Sequence, residues 1–138
     1  MTLRIARAAP HEIGDCLRIR RAVFVEEQGV PEALEVDGLD GEAVHYLGRL
    51  DGRAVATARV RVVDGTAKVQ RVAVLRGHRA TGAGAAIMRA IMGDGALPRS
   101  FTLGSQESAV GFYERLGFRI VGEPFMDAGL PHRTMVYP

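Results

Sequence analysis

Residues 72–84, V-A-V-L-R-G-H-R-A-T-G-A-G, constrain the fold more tightly than any other stretch of the chain. An alternating apolar strand ends at Val74, a short basic loop follows, and glycines stand where a helix has to begin. A helix start carries unpaired N–H groups and partial positive charge, so it favours an anion. Gly82 and Gly84 have no side chain to hold a phosphate away from the backbone, and Arg79 adds a forked donor of fixed charge. The segment reads as a strand–loop–helix cradle for a diphosphate.

Missing residues narrow the choice of ligand. No G-x-x-x-x-G-K-[ST] run exists, which excludes a P-loop. A dinucleotide-binding turn needs a small third position, and counting from Gly82 that position falls on Ile87. What remains is R-x-x-G-x-G after a V-A-V strand end.

The chain has 138 residues, enough for one domain with a core of its own. Its 47% hydrophobic and 25% charged residues are ordinary for a globular protein. No apolar run is long enough for a bilayer, and M-T-L-R-I-A-R lacks a signal-peptide core, so a cytoplasmic protein with no membrane partner is expected. Cys16 is the only cysteine, which rules out an internal disulfide and a multi-cysteine metal site. His11, His45, His78 and His132 show no paired metal-ligand spacing, so no metal is expected. The 17 arginines and single lysine are interleaved with acids to a net charge of +2, without the basic stripe that nucleic-acid binding wants.

Periodicity divides the rest. Leu3–Arg7 suggests a first strand, and Pro10 opens a helical region in which Ile13, Leu17, Arg20, Arg21 and Phe24 recur at helical spacing. Gln28-Gly29-Val30-Pro31 breaks it ahead of an acidic loop over residues 31–42. Runs 43–50, 54–63 and 67–75 are joined by two Asp-Gly turns and predict an antiparallel meander. Ala83, Ala86, Ile87, Ala90 and Ile91 mark one face of a helix that ends at Gly93-Asp94-Gly95. A strand at 100–103, a helix at 106–116 capped by Ser105, and strands at 118–121 and 134–137 around a 124–132 loop complete the order βα-βββ-αβ-αββ.

Further motifs lie in register with the glycine loop. F-Y-E-R-L-G-F at 112–118 resembles the FY-x-x-L-G-F signature of the GNAT family of N-acetyltransferases, whose acyl-CoA signature R-x-x-G-x-G resembles the cradle. F-V-E-E-Q at 24–28 and F-M-D-A-G-L-P-H at 125–132 resemble the ElaA-like branch of that family. The resemblance implies a single-domain α/β GNAT fold over residues 1–138, with a mixed, mostly antiparallel sheet and helices on both faces. It implies acetyl-CoA as acyl donor: the pantetheine arm lies along Val72, Ala73 and Val74, and the diphosphate on the amides of Arg79, Ala80, Thr81, Gly82, Ala83 and Gly84. Ala80 departs from the family, which often has glycine there; a methyl group restricts φ but leaves the N–H donor.

By the same resemblance, the Tyr113 hydroxyl lies near the thioester sulfur and can protonate the departing thiolate. Packing of Phe112, Tyr113 and Leu116 in the core is the structural alternative. A general base is required because an amine has a pKa near ~10 in water. Glu26, Glu27, His45 and His132 are candidates, as is a water chain. An amide at Gln70 cannot serve as that base. Arg71 reads as an exposed strand arginine, with the acidic loop or an acidic acceptor as other partners, and Cys16 as a packed helix residue.

The sequence reading is acetyl transfer to the amine of a small-molecule acceptor by direct attack, with the oxyanion met by the Val74 N–H. The alternative is an acyl-CoA-binding sensor without turnover. The acidic loop hints at a cationic acceptor, and a homodimer is left open because final strands in the family often pair across dimers.

Overall fold

A computed structural model describes residues 2–138. One seven-stranded sheet runs through the molecule in the order β1-β2-β3-β4-β5-β7-β6. Its strands are β1 (Leu3–Arg7), β2 (Val44–Leu50), β3 (Arg53–Val63), β4 (Thr66–Val74), β5 (Phe101–Gln106), β6 (Arg119–Asp127) and β7 (Leu130–Tyr137). The helices are α1 (Ile13–Arg20), α2 (Glu32–Glu35), α3 (Ala83–Met92) and α4 (Val110–Arg115). All strand pairs are antiparallel except β4 with β5. This is the expected α/β architecture. Among the described residues, no helix is long and apolar enough to cross a membrane.

The strands bury both faces, as their alternation requires. On one side Tyr46, Val55 and Val60 meet Ile87, Met88 and Ile91 of α3, all fully or nearly fully buried. On the other, Leu47 and Ala73 meet Cys16, Ile19 and Val23 of the first helical segment. Cys16 is thus a packed helix residue, its thiol pushed up by burial. Tyr46 also reaches Asp94 through its hydroxyl (2.7 Å), and Arg7 bonds the same carboxylate at 2.8 Å. Those two donors lower the Asp94 pKa to about 2.

Several boundaries differ from the sequence reading. The first helix begins as a 3₁₀ turn over Pro10–Glu12 and widens into a π-helical stretch over Arg21–Glu27. Expected as loop, residues 124–132 instead pair as a hairpin, with Phe125 opposite His132, Met126 opposite Pro131 and Asp127 opposite Leu130. Pro124 sits where the register shifts between Val121 and Phe125, so the ladder tolerates its missing N–H there. Ser105 does not cap α4. It is still in β5, its hydroxyl bonds Gln106 O at 2.8 Å, and a 3₁₀ turn over Glu107–Ala109 intervenes.

The L-G-F end of the aromatic motif has a steric reason. Gly117 ends α4 at φ +100°, and a Cβ there would lie 2.8 Å from the Tyr137 ring. Its absence lets Phe118 pack on Tyr137 with ring centres 5.6 Å apart, and Tyr113 on Phe118 at 6.0 Å.

Candidate active site

The site begins where two strands stop pairing. β4 and β5 share only Ala67–Phe101 and Lys68–Thr102, and beyond that point they diverge. A cavity of about 550 Å³ opens in the split. On its other flank β4 carries a bulge: Thr57 faces Ala73 and Arg59 faces Gln70, so Ala58 stands opposite both Arg71 and Val72. Arg71 takes φ +55°, a left-handed conformation that a bulge can demand of a non-glycine residue. After the bulge, Leu75 N–H bonds Val55 O in β3 at 2.9 Å. Backbone direction alternates, so the polar groups of Val72 and Val74 face the split while those of Ala73 face β3. Of the three residues expected along the pantetheine arm, two present main-chain donors and acceptors to the cavity.

Helix α3 starts at the end of that free edge. Gly82 precedes it at φ +80°, and no heavy atom lies within 4 Å of where its Cβ would be. Ala86 N–H closes the first turn onto Gly82 O at 3.0 Å, leaving the amides of Ala83, Gly84 and Ala85 ahead of the helical ladder. Gly82, Gly84, Ala85 and Arg79 line the cavity. Ala80 and Thr81 belong to the preceding 3₁₀ turn, where the Thr81 hydroxyl bonds His78 O at 2.6 Å, and neither lines the cavity.

Arg79 and Glu27, expected in separate roles, meet as a pair. The two terminal nitrogens of Arg79 hold the two Glu27 oxygens at 2.6 Å each, and its Nε bonds Val74 O at 3.1 Å. The hydrogen bonds from Arg79 hold the Glu27 carboxyl below its ordinary pKa. Glu27 lies with Glu26 in a separate shallow depression beside Leu75 and Arg76. Glu27, expected as a base candidate, is thus a stabilised carboxylate that does not itself line the cavity.

His45 is likewise displaced. It is buried in β2, its Nε2–H donates to Asp40 O at 3.0 Å, and its Nδ1 is buried without a partner. It does not line the cavity. The V-H-Y alternation sets it opposite Tyr46 but does not tell which face of the sheet carries the split.

His132 and Tyr113 do line the cavity. The Nδ1 of His132 lies 2.8 Å from Leu130 O. A carbonyl only accepts, so Nδ1 carries the proton and the neutral ring keeps its lone pair on Nε2. Tyr113 is buried, which pushes its hydroxyl up to about 12 and keeps it protonated at neutral pH. The Tyr113 ring packs on Phe112 and Phe118, and the residue also borders the cavity.

Sequence reasoning missed the charge network behind one wall. Arg20 bonds both Glu35 oxygens (2.8 and 2.7 Å) and Asp40 (2.7 Å). Arg59 bonds Asp37 (2.8 and 2.7 Å), Asp40 (2.9 Å) and Gln70 (2.7 Å). Arg71 reaches Leu34 O, Glu35 O and Asp37 from the bulge, so it is not an exposed strand arginine. Glu32 pairs with Arg21 and Glu42 with Arg61. Glu32, Glu35, Asp37, Asp40 and Glu42 of the acidic loop thus each pair with an arginine of this chain, the Glu32 and Glu42 carboxylates at the exposed surface. Arg59, between Ala58 and Val60 in a strand run, was the available signal.

Comparison with known proteins agrees with this geometry. A family model described as an acetyltransferase (GNAT) domain matches residues 8–137. The N-acetyltransferase YjcF of Bacillus subtilis is 38% identical over 129 residues, covering 91% of each chain. Among solved structures, an acyl-CoA N-acyltransferase from Pseudomonas aeruginosa superposes with TM-score 0.85 at 29% identity, covering 99% of this chain and 100% of the other. Escherichia coli ElaA superposes with TM-score 0.84 at 27% identity, covering 99% of both. With the split sheet, the glycine-led helix and the aromatic motif in one cavity, this chain belongs to the GNAT family of acetyltransferases.

Proposed function

We propose that this chain transfers an acetyl group from acetyl-CoA to a primary amine. One observation carries the reading: a single cavity joins the unpaired β4 edge and the open helix start around Gly82 to the hydroxyl of Tyr113 and the imidazole of His132. The first two suit a long polar arm ending in phosphates, because they offer main-chain donors with no side chain in the way. Displacement of Glu27 by a phosphate would leave Arg79 as the cationic partner of the diphosphate.

His132 acts as the general base. Its Nε2 takes a proton from the ammonium, and the neutral amine then attacks the thioester carbon. The Val74 N–H faces the split and donates to the developing oxyanion. As the carbon–sulfur bond breaks, the Tyr113 hydroxyl gives its proton to the thiolate, the attacking nitrogen sheds its second proton to water, and Tyr113 is reprotonated from that solvent. A thiol with a pKa near ~8.5 is already a fair leaving group, so that last transfer contributes less than the base. The products are the N-acetyl amine and free CoA thiol.

The test is to mix protein and acetyl-CoA with a panel of primary amines and measure thiol release. Release that needs both protein and amine supports transfer. Tight CoA binding with no release across the panel would overturn it in favour of a sensor.

A further inference from the structure

The second half of the cavity has a chemistry of its own. In the β6–β7 hairpin, Asp127 pairs with Leu130 and Phe125 with His132, so these four side chains share one hairpin face. Asp127, Leu130 and His132 line the cavity, and the Phe125 ring flanks His132 at 5.6 Å. Asp127 and His132 are diagonal neighbours on this face, roughly 7–8 Å apart between backbones. Glu35 and Asp127 are the two carboxylates lining the cavity. Glu35 is buried and bonded to Arg20, whereas Asp127 has no ion pair or hydrogen bond among the described residues. Phe24, Val30, Leu34 and Leu130 supply apolar surface here, Gln28 and Gln106 beside them bond each other at 2.9 Å, and Leu34 stays 55% exposed.

From this arrangement we infer that Asp127 is the specificity-determining residue for the acceptor, binding the ammonium of a monoamine whose remaining substituent is apolar. One unpaired carboxylate matches one positive charge. The acids that could have met a second charge are held by Arg20, Arg59 and Arg71. The apolar wall then accepts an uncharged hydrocarbon or aromatic substituent, which gains by leaving water. Asp127 holds the ammonium and His132 removes its proton, so binding and deprotonation are divided between two side chains of one hairpin face.

This inference rests on the acetyl-transfer reading, and its test separates the two. Steady-state thiol release is measured with 2-phenylethylamine, with the dication putrescine and with hydroxylamine, which is uncharged at neutral pH. The expected order has kcat/KM for 2-phenylethylamine at least tenfold above putrescine. Asp127→Asn should raise KM for 2-phenylethylamine about tenfold, a loss at least fivefold greater than for hydroxylamine, and Asp127→Glu should recover most of it. Preference for putrescine, or equal losses for charged and uncharged acceptors, would overturn the assignment of Asp127 while leaving acetyl transfer standing. No release with any acceptor, despite CoA binding, would remove the reading beneath it.

Discussion

The two halves of the cavity are made of different material. Toward Gly82 the walls are main chain: the free edge of β4 through Val72 and Val74, and the amides that open α3. Toward the β6–β7 hairpin they are side chains, with Asp127, Leu130 and His132 on one flank and Phe24 and Leu34 on the other. A main-chain wall keeps its donors under almost any substitution that preserves backbone conformation. A side-chain wall changes its chemistry with each residue. The first half suits a ligand common to a whole family, and the second a ligand particular to each member.

That contrast can be broken most directly at Gly82. Replacing Gly82 by glutamate should abolish CoA binding, a loss of at least a hundredfold by calorimetry, because a carboxylate would stand in the open space where phosphates are proposed to sit. Gly82→Ala is the control. It meets no atom within 4 Å, so CoA binding should stay within threefold while stability falls by about 1 kcal/mol from the left-handed backbone. Equal affinity in the glutamate variant would break the assignment of the main-chain half.

His132→Gln probes the side-chain half and should lower kcat by about a hundredfold. CoA affinity should stay within twofold, since His132 lies on the hairpin and not on β4 or α3. Retained turnover would return the base to a water chain.

Tyr113→Phe should cost about tenfold in kcat with an unchanged CoA dissociation constant. Burial holds this hydroxyl up to about 12, so it loses its proton only as the pH rises toward that value. Tyr113 should therefore contribute no alkaline fall in rate below about pH 10, and an alkaline limb near pH 9 that vanishes in the phenylalanine variant would contradict this.

Glu27→Gln carries the smallest effect. It removes the anion that occupies Arg79 and should tighten CoA binding about threefold. Were Glu27 the base instead, turnover would fall by orders of magnitude.

The same contrast explains what the sequence could disclose. Strand, glycine loop and helix follow from local periodicity and backbone freedom, so the residues of Val72–Gly84 are by themselves legible as half of a site. The meander is legible too, because its Asp-Gly turns are local. The side-chain half depends on pairing across the chain. Asp127 and His132 share a face only because 124–132 forms a hairpin, and that segment reads as loop because Pro124 and Ala128-Gly129 resemble loop punctuation. The sorting of base candidates was also out of reach, because Glu27 meets a partner 52 positions away and His45 lies on a buried strand away from the split.

The arginine network has a consequence for how such an enzyme changes. Residues 32–42 carry part of the cavity wall through Leu34 and Glu35, yet Glu35, Asp37 and Asp40 fasten them to Arg20, Arg59 and Arg71 rather than to the apolar core. Leu34 and Val36 alternate with these anchors and point away from them, 55% and 59% exposed. Leu34 borders the cavity without an anchoring role, whereas Glu35 both borders it and holds Arg20. A lineage can therefore rewrite position 34 to suit a new ligand while the loop stays where its charges hold it, and innovation at this wall proceeds without first destabilising the fold.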